Sequence, residues 1–187
     1  MHLKLRPYLW YKFLNSLFLG LSVGAVFTLY TPLEPFVFSI GGVVLALGLL
    51  GVAKAYERMM NFRRFIQVTL LVESVTLMLV MSFLMFKYHY SNVLFIYGSY
   101  QLTFMFGSYL IRMETLLLKR TKTLSLADIA KQKGYLWGMV LSYLFYQLLA
   151  SYGIEEKHMQ VYGMYWFLCL LQIGIIILVV KSFRFFR

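Results

Sequence analysis

Long apolar runs alternate along this chain with short polar connections. The hydrocarbon core of a bilayer, about 30 Å thick, is crossed by roughly 20 apolar helical residues. Six stretches reach that length: 13–30, 36–53, 65–86, 93–118, 134–152 and 161–180. The runs are continuous rather than alternating with a period of two, which favours helices over strands. The expected fold is therefore all-α, a polytopic membrane protein with six transmembrane helices in one domain over residues 1–187. The connections at 31–35, 54–64, 87–92, 119–133 and 153–160 leave no room for a soluble catalytic domain. Within the fourth connection, Ser125-Leu-Ala-Asp128 has capping-box-like spacing and predicts a short helix lying on the membrane surface.

Composition agrees with this pattern. The chain is 61% hydrophobic and 13% charged, where a soluble domain carries about 25% charged residues. That excludes an ordinary soluble enzyme, a disordered chain and a disulfide scaffold. The lone Cys169 can form neither an internal disulfide nor a cysteine metal site. The net charge of +11 would point to nucleic acid in a soluble protein, but its distribution gives another reason. Sixteen of the 18 lysines and arginines fall on one side of the six-span topology, leaving Lys87 and Lys157 on the other. The positive-inside bias then places both termini in the cytoplasm and accounts for the charge without nucleic acid. The bilayer, with a bacterial inner membrane as the expected location, is the first partner. Tyr8, Trp10, Tyr11, Tyr30, Tyr88, Tyr90, Tyr135, Trp137, Tyr162 and Trp166 lie near span ends, as interfacial belts require.

Polar groups inside hydrocarbon are costly, so they are the functional candidates. Glu73 lies eight residues past Phe65, about 12 Å into the third span, with Thr69 and Thr76 on its face. It is either a proton carrier or a carboxyl that locks helices together. At about 100° per residue, Tyr97, Gln101, Ser108 and Arg112 form a stripe about 60° wide on the fourth span. Arg112 sits at a depth similar to that of Glu73, which predicts an ion pair of Arg112 with Glu73 or Glu114. Glu114 lies opposite Gln101 and is otherwise expected to reach toward Lys119 and Arg120. Fainter polar pairs are Asn15 with Ser22, Tyr143 with Gln147, and Tyr165 with Gln172. Asn15, Ser22 and the Tyr97–Gln101–Ser108–Arg112 stripe are the candidate cavity lining for a small-molecule substrate.

Small residues at four-residue spacing allow helices to approach closely. Gly134, Gly138 and Ser142 form such a ladder, as do Gly20 with Gly24 and Gly42 with Ala46. Each ladder is read either as packing within the bundle or as a seam between chains. No nucleophile elbow, zinc-binding helix or phosphate-binding glycine loop occurs, and His2, His89 and His158 are scattered. No enzyme activity, catalytic residue, metal or cofactor is therefore expected.

The region from Gly51 through Glu57 and Arg58 to Arg63 and Arg64, between spans two and three, resembles the basic loop of the major facilitator superfamily. Its spacing is longer and the family's second glycine is missing. The Gly134/Gly138/Ser142 ladder is similar to that family's glycine-rich fifth helix, and Arg112 falls in the fourth helix, where many members carry an arginine. The layout as a whole looks like the amino-terminal six-helix half of such a transporter. The resemblance implies a homodimer working by alternating access. Spans one and four would line the cavity, and the ladders of spans two and five would form the seam. The other readings are a substrate-binding membrane subunit of a multi-component importer, docking through Gly20 and Gly24, and a non-transporting structural subunit of a membrane complex.

Overall fold

The computed structural model describes residues 2–86 and 89–184. Their fold is helical apart from one short strand pair. The elements are α1 (Leu5–Leu29), α2 (Pro35–Lys54), α3 (Tyr56–Met59), α4 (Phe62–Phe86), α5 (Tyr90–Met105), α6 (Gly107–Leu118), α7 (Thr121–Ser151) and α8 (Lys157–Ser182). Local chemistry sets several of the boundaries. Pro35 opens α2, where its missing N–H costs nothing. Asn61 caps α4 by accepting the Arg64 N–H at 2.9 Å. Strand β1 (His2–Leu3) pairs antiparallel with β2 (Phe183–Arg184), and the Lys4 N–H donates to the Ser182 carbonyl at 2.9 Å. The two ends of the described chain therefore meet.

Four helices, α1, α2, α4 and α8, are long and apolar enough to cross a membrane. The other two expected spans take different forms. Span four divides at Phe106, whose N–H reaches back only three residues to the Thr103 carbonyl, while the Thr103 hydroxyl bonds the Tyr100 carbonyl at 2.8 Å. This tightened turn separates α5 from α6. Span five is the second part of α7, which runs unbroken for 31 residues. The separate surface helix expected around Ser125 does not exist: no helix breaker occurs between Thr121 and Gly134, so the two segments form one rod. At about 1.5 Å per residue the rod is longer than a bilayer core is thick.

The long helices pack in a continuous order, α7 on α1, α1 on α8, α8 on α4, α4 on α5 and α5 on α2, with α6 bridging to α4 and α7. The order has an internal symmetry. Exchanging α1 with α5, α2 with α7 and α4 with α8 reproduces the same row read backwards. The two halves of the chain thus use the same packing plan, although no residue-level repeat links them.

The closest approach is between α1 and α7. A Cβ at Gly20 would lie 2.9 Å from the Gly138 Cα, and one at Gly134 would collide with the Phe13 carbonyl. Ser142 completes the ladder by donating to the Leu21 carbonyl at 3.4 Å. Gly134, Gly138 and Ser142 therefore pack inside the chain, and the seam between chains expected there is corrected. Gly42 and Ala46 do face outward, with open space beside Gly42. The aromatic belt is also revised. Trp10, Tyr90, Tyr135, Trp137 and Trp166 are exposed, but Tyr8 and Tyr11 are buried; Tyr88 lies outside the described residues. Large apolar side chains cover much of the outer surface, including Phe27, Val43, Leu47, Leu136, Leu144 and Leu170, as lipid contact requires.

Gly138→Val should lower thermal stability in detergent by an amount typical of overpacking, about 1–3 kcal/mol or more, because two backbones meet there. Gly42→Val should leave the melting temperature nearly unchanged. Equal effects would mean that α1 and α7 are not in close contact.

Candidate functional site

The polar groups of the bundle converge on one stripe of α1. Tyr8, Tyr11, Lys12 and Asn15 recur at helical spacing, so their side chains leave the helix on one side. They link two buried carboxylates, Glu73 on α4 and Glu114 on α6, each 2% exposed.

Glu73 is held entirely by neutral donors among the described residues. Its Oε1 accepts from the Tyr11 hydroxyl at 2.9 Å and from Asn15 Nδ2 at 3.0 Å. Its Oε2 accepts from Gln172 Nε2 of α8 at 2.8 Å. The same amide nitrogen donates to the Glu73 backbone carbonyl at 2.9 Å. Gln172 is fully buried, and its Oε1 has no partner among the described residues. Thr69 and Thr76, on the same face as Glu73, donate instead to carbonyls of their own helix.

Glu114 is held by charge. Lys12 Nζ stands 3.1 Å and Lys131 Nζ 2.9 Å from its Oε2, and the Tyr8 hydroxyl donates to Oε1 at 3.0 Å. Lys131, in the part of α7 that precedes the expected span, also reaches Asp128 at 3.3 Å. Burial works to lower the pKa of Lys131; its hydrogen bond and charge interaction with Glu114, then those with Asp128, outweigh this and hold it above its ordinary value. Lys12 is the link between the two carboxylates. Its ammonium lies 5.3 Å from the Tyr8 ring centroid and 5.2 Å from that of Tyr11, within cation–π range.

The two carboxylates therefore differ in what they can do. Removing the charge of Glu114 would strand Lys12 and leave Lys131 with Asp128 alone, so Glu114 acts as a fixed anchor. Glu73 has no cation within ion-pair distance among the described residues. It could accept a proton without leaving a buried charge unmatched, and two of its donors belong to α1.

The expected partners are corrected. Arg112 pairs with neither Glu73 nor Glu114; it is exposed, with its guanidinium 5.6 Å from the Tyr56 ring. Glu114 does not reach toward Lys119 and Arg120 but turns inward. The stripe on span four is dispersed by the break at Phe106. Tyr97 is buried and donates to the Phe38 carbonyl at 3.3 Å, Gln101 is half-buried, and Ser108 and Arg112 face outward. Of the paired span-one residues, Asn15 joins Glu73, while Ser22 donates to the Leu19 carbonyl of its own helix. Gln147 and Tyr143 are exposed. In the basic loop, Gly51, Glu57, Arg58, Arg63 and Arg64 are all exposed; Glu57 forms no ion pair among the described residues, and Arg64 hydrogen-bonds Gln67. No cluster of potential metal ligands occurs among the described residues.

Sequence reasoning found Glu73, Asn15 and Gln172 but missed Tyr8, Tyr11, Lys12 and Lys131. The spacing 8, 11, 12, 15 was the available signal: a polar stripe entering an apolar helix. No family model, curated protein or solved structure matches this chain.

Glu114→Gln should destabilise the protein more than Glu73→Gln, by about 3–5 kcal/mol, because it leaves buried lysine charge uncompensated. Tyr11→Phe should cost about 1.5–3 kcal/mol, as for loss of a hydrogen bond to a charged group. Unfolding of the purified variants in detergent would rank them. A Glu73→Gln loss as large as that of Glu114→Gln would contradict the distinction between the two sites.

Proposed function

We propose that this chain is a membrane transport protein, one six-helix half of a homodimeric, facilitator-like carrier of a small organic solute. The observation that carries the reading is the symmetric packing order of the helices. A three-helix unit repeated once is necessarily inverted in the membrane, since an odd number of crossings separates equivalent helices. Inverted three-helix repeats occur within each half of major facilitator transporters.

Further observations support it. The pairing of the two chain ends fits an even number of crossings, six when α5–α6 and the second part of α7 are counted. The cluster of sixteen cations then fits cytoplasmic termini. The exchange-related helices α1 and α5 border an open groove of about 340 Å³ lined by Phe18, Ser22, Val26, Tyr30, Tyr100 and Phe104. In a dimer whose axis runs along this groove, two copies would enclose a mainly apolar chamber bearing tyrosine and serine hydroxyls. Such a chamber suits an organic solute better than a bare ion.

Glu73 provides a coupling device in this reading. Proton uptake would turn an oxygen that only accepts hydrogen bonds into an O–H donor. It would thereby disturb the bonds from Tyr11 and Asn15, on the helix that lines the groove. The importer-subunit reading is less well supported, because Gly20 is covered by Gly138, although Gly24 is exposed beside the Tyr146 ring.

The test needs no known substrate. In a Cys169→Ser background, Val26→Cys should be modified by a membrane-impermeant maleimide added to either side of sealed vesicles, as alternating access requires. Glu73→Gln should shift the ratio of the two labelling rates severalfold. Labelling from one side only, or from neither, would reject transport through this groove. A purified protein that is monomeric by native mass spectrometry would reject the dimer.

A further inference from the structure

Six of the ten side chains that line the groove between α1 and α5 are aromatic: Phe18, Phe27, Tyr30, Tyr100, Phe104 and Tyr135. Aromatic residues make up 19% of the chain, so rings are concentrated here well beyond the average. The outer face of α2 is different. Ile40, Val43, Val44, Leu47 and Leu50 are exposed there and all are aliphatic. Contact with acyl chains therefore does not account for the rings of the groove. We propose that this groove receives an uncharged, flat aromatic solute, lying against these rings and hydrogen-bonded by the phenol groups of Tyr30 and Tyr100. The inference rests on the reading of this groove as the carrier's substrate site and narrows the class of that substrate.

The lining excludes a charged solute. No Asp, Glu, Lys or Arg lines the groove among the described residues, so an ion would give up its hydration there without a counter-charge. The buried ionic groups of the bundle are engaged elsewhere. Lys12 and Lys131 pair with Glu114, and Glu73 is turned to Tyr11, Asn15 and Gln172.

The rings favour a flat solute over a saturated one. Tyr100 and Phe104, one turn apart on α5, stack with their centroids 6.0 Å apart and their planes 22° from parallel. Phe104 is 56% and Phe27 76% exposed, whereas Phe18 is 3% exposed. The groove thus has a fixed ring at its base and open rings along its sides. An aromatic solute gains stacked or edge-to-face contacts with such rings beyond the burial of its area, and a saturated solute of the same size does not.

The phenols supply direction. The hydroxyls of Tyr30 and Tyr100 form no hydrogen bond among the described residues, and neither is sealed inside the protein. Tyr30 packs edge-on against Tyr97, with 5.4 Å between centroids, and Tyr97 stands one turn before Tyr100 on α5. Both phenols therefore lie toward one end of the groove. Ser22 is already committed to the Leu19 carbonyl, which leaves hydrogen bonding to the tyrosines. Their O–H groups suit a carbonyl or hydroxyl oxygen on the solute.

The test is protection of Val26→Cys, in the Cys169→Ser background, from maleimide in detergent. The probes are acetylnaphthalene, its ring-saturated counterpart and naphthoate. The neutral aromatic ketone should protect at concentrations about tenfold lower than the saturated ketone, as one or two aromatic contacts provide. Naphthoate should protect no better than the saturated ketone. Phe104→Leu should reduce the aromatic preference severalfold; Phe27→Leu, at the most exposed ring, gives the same readout if the first variant melts early. Val43→Cys, on the outer face of α2, should be protected by none of the probes. Equal protection by the two ketones would make the groove a general apolar surface and overturn the proposal. Protection by naphthoate as strong as by the aromatic ketone, no protection by any probe, or equal protection of Val43→Cys would overturn it too. In sealed vesicles, labelling from both sides with no preference among the probes would reject the substrate class and keep the carrier. Labelling from one side with the preference intact would reject the carrier and keep the aromatic site.

Discussion

Glu73 must be satisfied inside a helix bundle, where water cannot do it, and this requirement fixes how α1 lies. A buried carboxylate without partners is far more costly than an apolar residue of the same size. Tyr11 and Asn15 supply two of the donors, so the face of α1 that carries them must point at α4, and Gln172 brings α8 to the same place. Once that face is set, the remainder of α1 has no rotational freedom. Gly20 then lies against Gly138, and Arg6, Trp10 and Phe13 are left on the outside. Helices in lipid gain little from burying apolar area against one another, because the lipid is equally apolar. Specific polar bonds and close backbone approach are what remain, and α1 uses one of them on each side.

The parts of this fold that were legible in the sequence are those that depend on hydropathy and spacing alone. The apolar runs located the long helices, and Glu73 stood out because a carboxylate in such a run demands an explanation. The partners of Glu73 were not legible. A charged partner at equal depth was the natural expectation, and Arg112 met it only if span four were one straight helix. The turn at Phe106 removes that condition, and its one signal in the sequence is the Gly107-Ser108 pair that follows, a weaker mark than a proline. Neutral donors are harder to detect than cations because tyrosine and asparagine near a span end also fit an interfacial belt, which is how Tyr8 and Tyr11 first read. The Gly134/Gly138/Ser142 ladder announced a close approach but carried no information on which helix would fill it.

The symmetry of the helix order was invisible for a related reason. A packing plan constrains the sizes of the residues at each contact, not their identities. On one side of the symmetry, Gly20 and Gly138 let α1 and α7 approach; on the other, Gly41 of α2 receives the Tyr97 ring of α5. The first contact is backbone on backbone and the second is ring on glycine. Both need a small residue at one position, and they share no alignable motif. Two halves can thus keep a common architecture after their sequences have diverged beyond comparison.

The contrast between the two carboxylates bears on how such a bundle could respond to protons. Glu114 is tied to Lys12 and Lys131, and any change in its charge leaves a lysine unmatched in a largely dry site. Glu73 has only neutral partners among the described residues, so its protonation strands no cation and reverses the direction of a hydrogen bond. The proposed carrier would need one element that holds the bundle together in every state and another that alters α1 when a proton arrives. Lys12, next to Tyr11 in the chain and bonded to Glu114, keeps the end of α1 fixed while the bonds of Tyr11 and Asn15 to Glu73 are free to rearrange. A proton on Glu73 would then act by pivoting α1 about that fixed end, and the groove-lining residues Ser22, Val26 and Tyr30 lie beyond the pivot, where a small rotation moves them furthest.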